Sequence, residues 1–196
     1  MSTTTEPPST EARIRDVATR LFYERGYHAT SMRDIAGEVG VKAGSLYNHF
    51  PGKQDILFRV CFDTAQALAD GLGPRMAGVE GLEARLRAFV RWHVEFHARH
   101  RHAARVADDQ LHALTPSNRQ EVVAVRDAYE AVLVDLLEEG ERAGLWKMGD
   151  RRVIGFGIGT MCTGVDAWYR PDGPLTPERI GEIYADFVVG GLRAGS

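Results

Sequence analysis

His93 and His97 stand four positions apart, and so do Asp108 and His112. On a helix that spacing turns both members of a pair to one face. Imidazoles beside a carboxylate can ligate zinc or a similar ion, which makes His93, His97, Asp108 and His112 metal candidates. No His-Glu-x-x-His pattern, general base or nucleophile motif accompanies them, so a metal hydrolase is a weak reading. Pocket polarity or ordinary hydrogen bonding is the simpler role. Cys61 and Cys162 lack metal-ligand spacing and read as buried apolar thiols. Gly155-Phe156-Gly157-Ile158-Gly159 has the outline of a dinucleotide fingerprint. No strand precedes it, its third glycine is misplaced, and no βαβ unit surrounds it. Neither an enzyme nor a bound cofactor is expected.

A different chemistry sits in residues 30–50, TSMRDIAGEVGVKAGSLYNHF. Two short helices joined by Gly40-Val41 have helix-turn-helix spacing, and the second offers its N-terminal residues to a DNA groove. Small side chains at Ala43, Gly44 and Ser45 let the backbone approach base edges and phosphates. The hydroxyls of Thr30 and Ser31, with the amides opening the first of these helices, can bind a phosphate. Lys42, Ala43, Ser45 and Asn48 are candidates for base contacts, since Asn pairs bidentately with adenine and Ser accepts several bases. Arg33 adds a cation to this DNA-binding set.

These residues need elements to position them. Ile14, Val17, Ala18, Leu21 and Phe22 form the one-sided stripe of an amphipathic helix that begins near Thr10 and that Gly26 ends. Thr30 or Ser31 caps a second helix, with Met32, Ile35, Ala36 and Val39 apolar and Gly40 as its stop. A third presents Leu46, Tyr47 and Phe50 as its non-polar side. Lys53 opens a fourth running to about Leu72. Further helices follow over residues 81–101, near 103–114, and from the Thr115-Pro116-Ser117 cap to about Gly144. Residues 150–169 are apolar nearly all round and are expected to be buried. Thr176, a natural N-cap with Pro177 at N1, starts a last helix ending near Gly195. The expected fold is all-α, with about nine helices and no internal repeat. A polar tail (1–9) precedes a helix-turn-helix head (10–55) and a larger ligand-binding and dimerisation domain (56–196).

Across residues 13–57 the chain resembles the TetR family of bacterial transcriptional regulators. An apolar helix ends in Arg25-Gly26-Tyr27. Thr30-Ser31, Asp34-Ile35-Ala36, Gly40-Val41, Gly44-Ser45-Leu46-Tyr47, His49-Phe50 and Lys53 follow in order. Lys42 departs from the pattern, which usually has a Ser or Thr cap there; losing that cap costs on the order of 1 kcal/mol. The resemblance implies phosphate contacts from Tyr47, His49 and Lys53. It also implies a homodimer, formed through the last two helices, on a near-palindromic double-stranded operator. Residues 153–169, with Gly155, Gly157, Gly159 and Gly164, and residues 177–193, with Ile180, Ile183, Tyr184, Phe187, Val188 and Leu192, are the candidates for that interface.

A second resemblance covers Trp168 to Glu178 with Ile180 and Tyr184-Ala185-Asp186. It is to a subgroup of the family that includes repressors of fatty-acid and steroid catabolism responding to acyl-CoA thioesters. The implied function is a repressor released by a small hydrophobic effector of that class. An activator, or a sensor of another lipid or a drug, would share every residue named. Phe89, Trp92, His93, Phe96 and His97, with Leu111, Tyr129, Leu133, Met161 and Trp168, are the expected lining of an effector pocket; the same band could equally be solid core. Arg99, Arg101 and Arg105, with His100 and His102, form a basic cluster that suits CoA phosphates or is simply solvated.

Composition agrees with a globular protein: of 196 residues, 44% are hydrophobic and 26% charged. No apolar run is long enough for a membrane span, and the N-terminus lacks a secretory h-region, so no membrane partner is expected. Two distant cysteines fit a reducing cytoplasm. The net charge is −3, with a pI near 6.2, which is unlike the basic balance of many DNA-binding domains. Residues 1–55 carry 7 positive and 7 negative side chains, so the whole deficit lies in the remainder. A neutral head binds non-specific DNA poorly and relies on oriented amides and hydroxyls, used twice in a dimer.

Overall fold

The protein is described from a computed structural model over residues 9–193, so the polar N-terminal tail, Ser9 apart, lies outside the described residues; the last helix, expected to end near Gly195, ends at Leu192, with Arg193 already non-helical. Ten α-helical segments follow one another: α1 (Thr10–Arg25), α2 (Met32–Val39), α3 (Ala43–His49), α4 (Lys53–Met76), α5 (Leu82–Arg99), α6 (Arg101–Asp109), α7 (Pro116–Arg142), α8 (Arg151–Thr163), α9 (Val165–Trp168) and α10 (Pro177–Leu192). A 3-10 turn at Leu111–Ala113 links α6 to α7, and α9 is a single short turn. No strand occurs among the described residues. No helix among them is long and apolar enough to cross a membrane.

Side-chain caps set many of the boundaries. The hydroxyls of Ser9, Ser31, Thr115 and Thr176 each accept an amide hydrogen from the first turn of the helix that follows. Asp150 accepts from the amides of Arg152 and Val153. Gly40 ends α2 in the left-handed region, with φ 78°, a conformation that strains any residue with a Cβ. Only α3 among the helix-turn-helix elements starts without a side-chain cap, at Lys42. A helix that short is unstable alone. Burial of Leu46 and the following Phe50, each contributing about 1.5–3 kcal/mol, holds it against the head.

Two apolar cores form. The first joins Ile14, Leu21 and Phe22 of α1 to Ile35, Leu46 and the opening turns of α4, and it is completed by Val106 and Ala107 of α6, Leu114, and Val122 of α7. Helix α4 therefore starts at the boundary of the head and runs on into the body. The second core is built around α5, which packs against α4, α7, α8 and α10.

Two expectations are corrected here. Residues 150–169 are not one buried helix. The helix breaks at Gly164, and on the single chain Val153 and Phe156 are exposed. Tyr47 is not part of the non-polar side of α3: it is 52% exposed, because Leu46 and Phe50 alone face the core.

Candidate functional site

The head presents one consistent exposed surface. Lys42, Ala43, Gly44, Tyr47, Asn48 and His49 are exposed along α3, Ser45 is half-buried, and Arg33 projects from α2. A Cβ placed on Gly44 would meet nothing within 4 Å, so the start of α3 is sterically open to a bulky partner. Ser31 is exposed but already engaged. Its hydroxyl accepts from the Asp34 amide, while the Asp34 carboxylate takes the Ser31 amide hydrogen, a reciprocal capping box.

Two residues of the DNA-binding set face the protein instead. Thr30 is buried, and its hydroxyl donates to the carbonyl oxygens of Gly26 at 2.9 Å and Leu21 at 3.4 Å. The ammonium of Lys53 donates to the carbonyls of Tyr27 and Thr30, both at 2.7 Å, and sits 4.3 Å above the Tyr27 ring. Burial lowers the Lys53 pKa. Both side chains fix the loop between α1 and α2 and leave little for a phosphate. The sequence signal for this inward turn is weak, because it depends on a contact 23 residues away.

Behind the head, α4, α5, α6, α7, α8 and α9 line a cavity of about 1130 Å³ that opens to solvent between α7 and α8, where Asp127, Glu130 and Phe156 are exposed. Six of the expected lining residues meet there: Phe89, His93, Phe96, His97, Tyr129 and Leu133. Four do not. Trp92 packs its ring against Gly71 and donates its indole N–H to the Leu68 carbonyl. Leu111 packs on the head core, and Met161 packs on the core around α5. Trp168 is 49% exposed, because α9 turns it away from the chain. Arg105 of the basic cluster also lines it, and lining residues not expected from the sequence include Arg126, Thr163 and Asp166.

The polar groups of this wall are arranged in layers. His93 and His97 stack with ring centroids 4.6 Å apart. His93 lies within hydrogen-bond distance of the Thr163 hydroxyl at Nε2, 3.0 Å, and of the Tyr129 hydroxyl at Nδ1, 3.3 Å. Burial lowers its pKa to about 4, and burial likewise holds His97 well below the usual range, so both are neutral at pH 7. Beyond them, His97, Asp108 and Asp166 each place a ligand-type atom within 4.8 Å of the other two. Of the four metal candidates only His97 and Asp108 belong to this group: His93 is occupied by its hydroxyl neighbours, and His112 is exposed on the 3-10 turn. Asp166 was legible as the one charged residue in the apolar run 153–169.

A smaller cavity of about 430 Å³ lies between α1, α4 and α6 and shares Thr64 and Phe96 with the larger one. Arg15, Arg20, Arg99 and Arg101 line it. In the basic cluster Arg99 and Arg105 are exposed and form surface ion pairs, Arg99 with Glu95 and Glu178, Arg105 with Asp109. Both cysteines are buried, and burial pushes each thiol up to about 12.

Comparison with known proteins matches two segments of the chain. Residues 14–60 match the family model for bacterial regulatory proteins of the tetR family, and residues 80–192 match the tetracyclin repressor-like C-terminal domain. The chain is 30% identical to the HTH-type transcriptional repressor KstR2 of Mycolicibacterium smegmatis, covering 97% of this chain and 94% of that one. It is 26% identical to the HTH-type transcriptional activator FasR of the same organism, over 89% and 79%. The solved structure of AibR in complex with isovaleryl coenzyme A and operator DNA superposes with a TM-score of 0.78 at 27% identity, covering 94% and 98%. With both halves matched and a relative aligned over nearly its full length, this protein belongs to the tetR family of bacterial regulatory proteins, which are DNA-binding transcriptional regulators.

Proposed function

We propose that the chain is a repressor that grips a palindromic operator as a homodimer and lets go when a hydrophobic effector, an acyl-CoA, fills the cavity. The observation that carries this reading is the double placement of α6. Its Ala104, Ala107 and Asp108 line the cavity, while Val106 and Ala107 complete the core of the head. An occupant that displaces α6 displaces α1 with it, and a tilt of two heads spoils a half-site spacing of about 34 Å. The likeness to AibR supports the ligand class. The apolar wall of Phe89, Phe96 and Leu133 suits an acyl chain, and the arginines of the adjoining small cavity suit the CoA phosphates.

Dimerisation through α8 and α10 is supported by their exposed apolar side chains. Phe156 is 75% and Phe187 70% exposed, with Val153 and Ile183 beside them in sequence. The other half of the α10 stripe, Ile180, Val188 and Leu192, is used within the chain, against α5. Such a protein works in the cytoplasm, where the chromosome lies.

The test is a gel shift on DNA flanking the protein's own gene, with and without an acyl-CoA panel. A salt-sensitive complex with a palindrome, lost in Tyr47→Ala and dissolved by an acyl-CoA, is the expected result. No preference for any palindrome there sinks the repressor reading; release by other lipids alone sinks the ligand class. Reporter output in a deletion strain fixes the sign, since the likeness to FasR favours an activator as the second reading.

A further inference from the structure

Three atoms in the cavity wall share one defect. His97 Nδ1, Asp108 Oδ2 and Asp166 Oδ1 are each buried and have no hydrogen-bond partner. They come from three different helices, α5, α6 and α9, that pack on one another. A buried polar atom left unpaired costs about 1–3 kcal/mol, and more when it is charged. Three such atoms at one point are too costly to be accidental, and each is an electron-pair donor of the kind a cation takes.

We propose that His97, Asp108 and Asp166 hold a divalent first-row metal ion, Zn2+ or a neighbour such as Mn2+ or Co2+. The donor set is one imidazole and two carboxylates without thiolate, which suits these ions and not copper(I). The three residues each offer a ligand atom within 4.8 Å of the others, and metal bonds of roughly 2.0–2.2 Å close that triangle to edges of about 3.4 Å. The stack on His93 fixes the plane of the His97 ring. Arg126 donates to the other oxygen of Asp108 at 2.9 Å, which orients that carboxylate and leaves Oδ2 directed at the site. Arg105 lies 3.9 Å from Asp166 Oδ1, beyond hydrogen-bond distance, on a half-exposed side chain that can withdraw as an ion enters.

The protonation states agree with this geometry. Burial keeps His97 neutral, the form that ligates, and raises both carboxyls, Asp166 to about 6, against the lowering pull of Arg126 on Asp108 and of Arg105 on Asp166. Three protein ligands leave coordination positions open toward the cavity that all three residues line. Metal binding is a property of these side chains alone, so it stands whether or not the cavity takes an acyl-CoA.

The experiment uses the full chain without a histidine tag, stripped with chelator and titrated with Zn2+, Mn2+ and Co2+ in the absence of DNA and acyl-CoA. Calorimetry is expected to give one ion per chain with micromolar or tighter affinity, a raised Tm, and visible Co2+ bands. Asp166→Asn and His97→Gln should each weaken binding at least tenfold, while His112→Ala leaves it unchanged. Near-UV circular dichroism checks that the variants fold, and Asp108→Asn serves if either does not. No saturable binding by the folded chain up to 100-fold molar excess overturns the site, as does binding that survives the Asp166→Asn/His97→Gln double variant.

Discussion

Lys53 reaches across the head to Thr30: its ammonium nitrogen lies 2.7 Å from the Thr30 carbonyl oxygen. The same group donates to Tyr27, so one cation closes the loop between α1 and α2 from the first turn of α4. Hydrogen bonds from a charged donor contribute about 1.5–3 kcal/mol. Lys53→Met should therefore lower Tm by several degrees in thermal denaturation, with weakened DNA binding as a consequence. Tyr47→Ala, at an exposed position, should weaken DNA binding with Tm unchanged. Equal Tm values for Lys53→Met and the parent would show that the clamp is idle.

This contrast marks what the sequence conveys. Glycines, prolines and short hydroxylated residues act within a few positions, so the starts of α2, α7 and α10 and the stops of α1 and α2 at Gly26 and Gly40 were legible from the chain. The inward turn of Thr30 and Lys53 was not, because it depends on carbonyls of a different segment. The α5 side of the cavity wall, Phe89, His93, Phe96 and His97, was legible from the spacing on that helix. Trp92 escaped that logic because Gly71 offers it a slot on α4, a pairing 21 positions apart that no helical period encodes.

Phe187→Asp should convert a dimer into a monomer in sedimentation or light scattering at micromolar concentration. The side chain is mostly exposed on the single chain, so far-UV circular dichroism should not change. If the variant keeps the parent's mass, α10 is not the dimer surface.

His93 gives the stability a pH dependence of known sign. Its pKa is about 4 in the fold and near 6.5 in the unfolded chain. Unfolding therefore takes up a proton between those values. The stability that neutral His93 contributes is complete above pH 6.5 and is lost as the pH falls toward 4. The carboxyls of Asp108 and Asp166, raised by burial, act in the opposite direction. Urea denaturation at pH 7.5 and pH 5 should show a smaller acid loss for His93→Gln than for the parent. An identical loss in both proteins would show that His93 is not the titrating group.

Gly140 is fixed by a ring. A Cβ there would lie 1.7 Å from the buried Trp146, whose indole N–H is bonded to the Leu137 carbonyl. Gly140→Ala should cost about 1–3 kcal/mol by overpacking in chemical denaturation. Gly37→Ala, where a Cβ meets nothing within 4 Å, should instead gain about 0.5–1 kcal/mol from helix propensity.

The contribution of α6 and α7 to the first core also limits modularity. Val106, Ala107, Leu114 and Val122 cover apolar surface of the head, and the Gln54 amide donates to both the Tyr27 hydroxyl and the Ala113 carbonyl. A head excised near residue 55 would expose that surface and lose part of its fold. Grafted onto another sensor body, it would recover its shape only where the new body supplies a matching helix. Exchange of heads between regulators of this build is thus constrained by a packed seam, and the chain should melt in one cooperative transition.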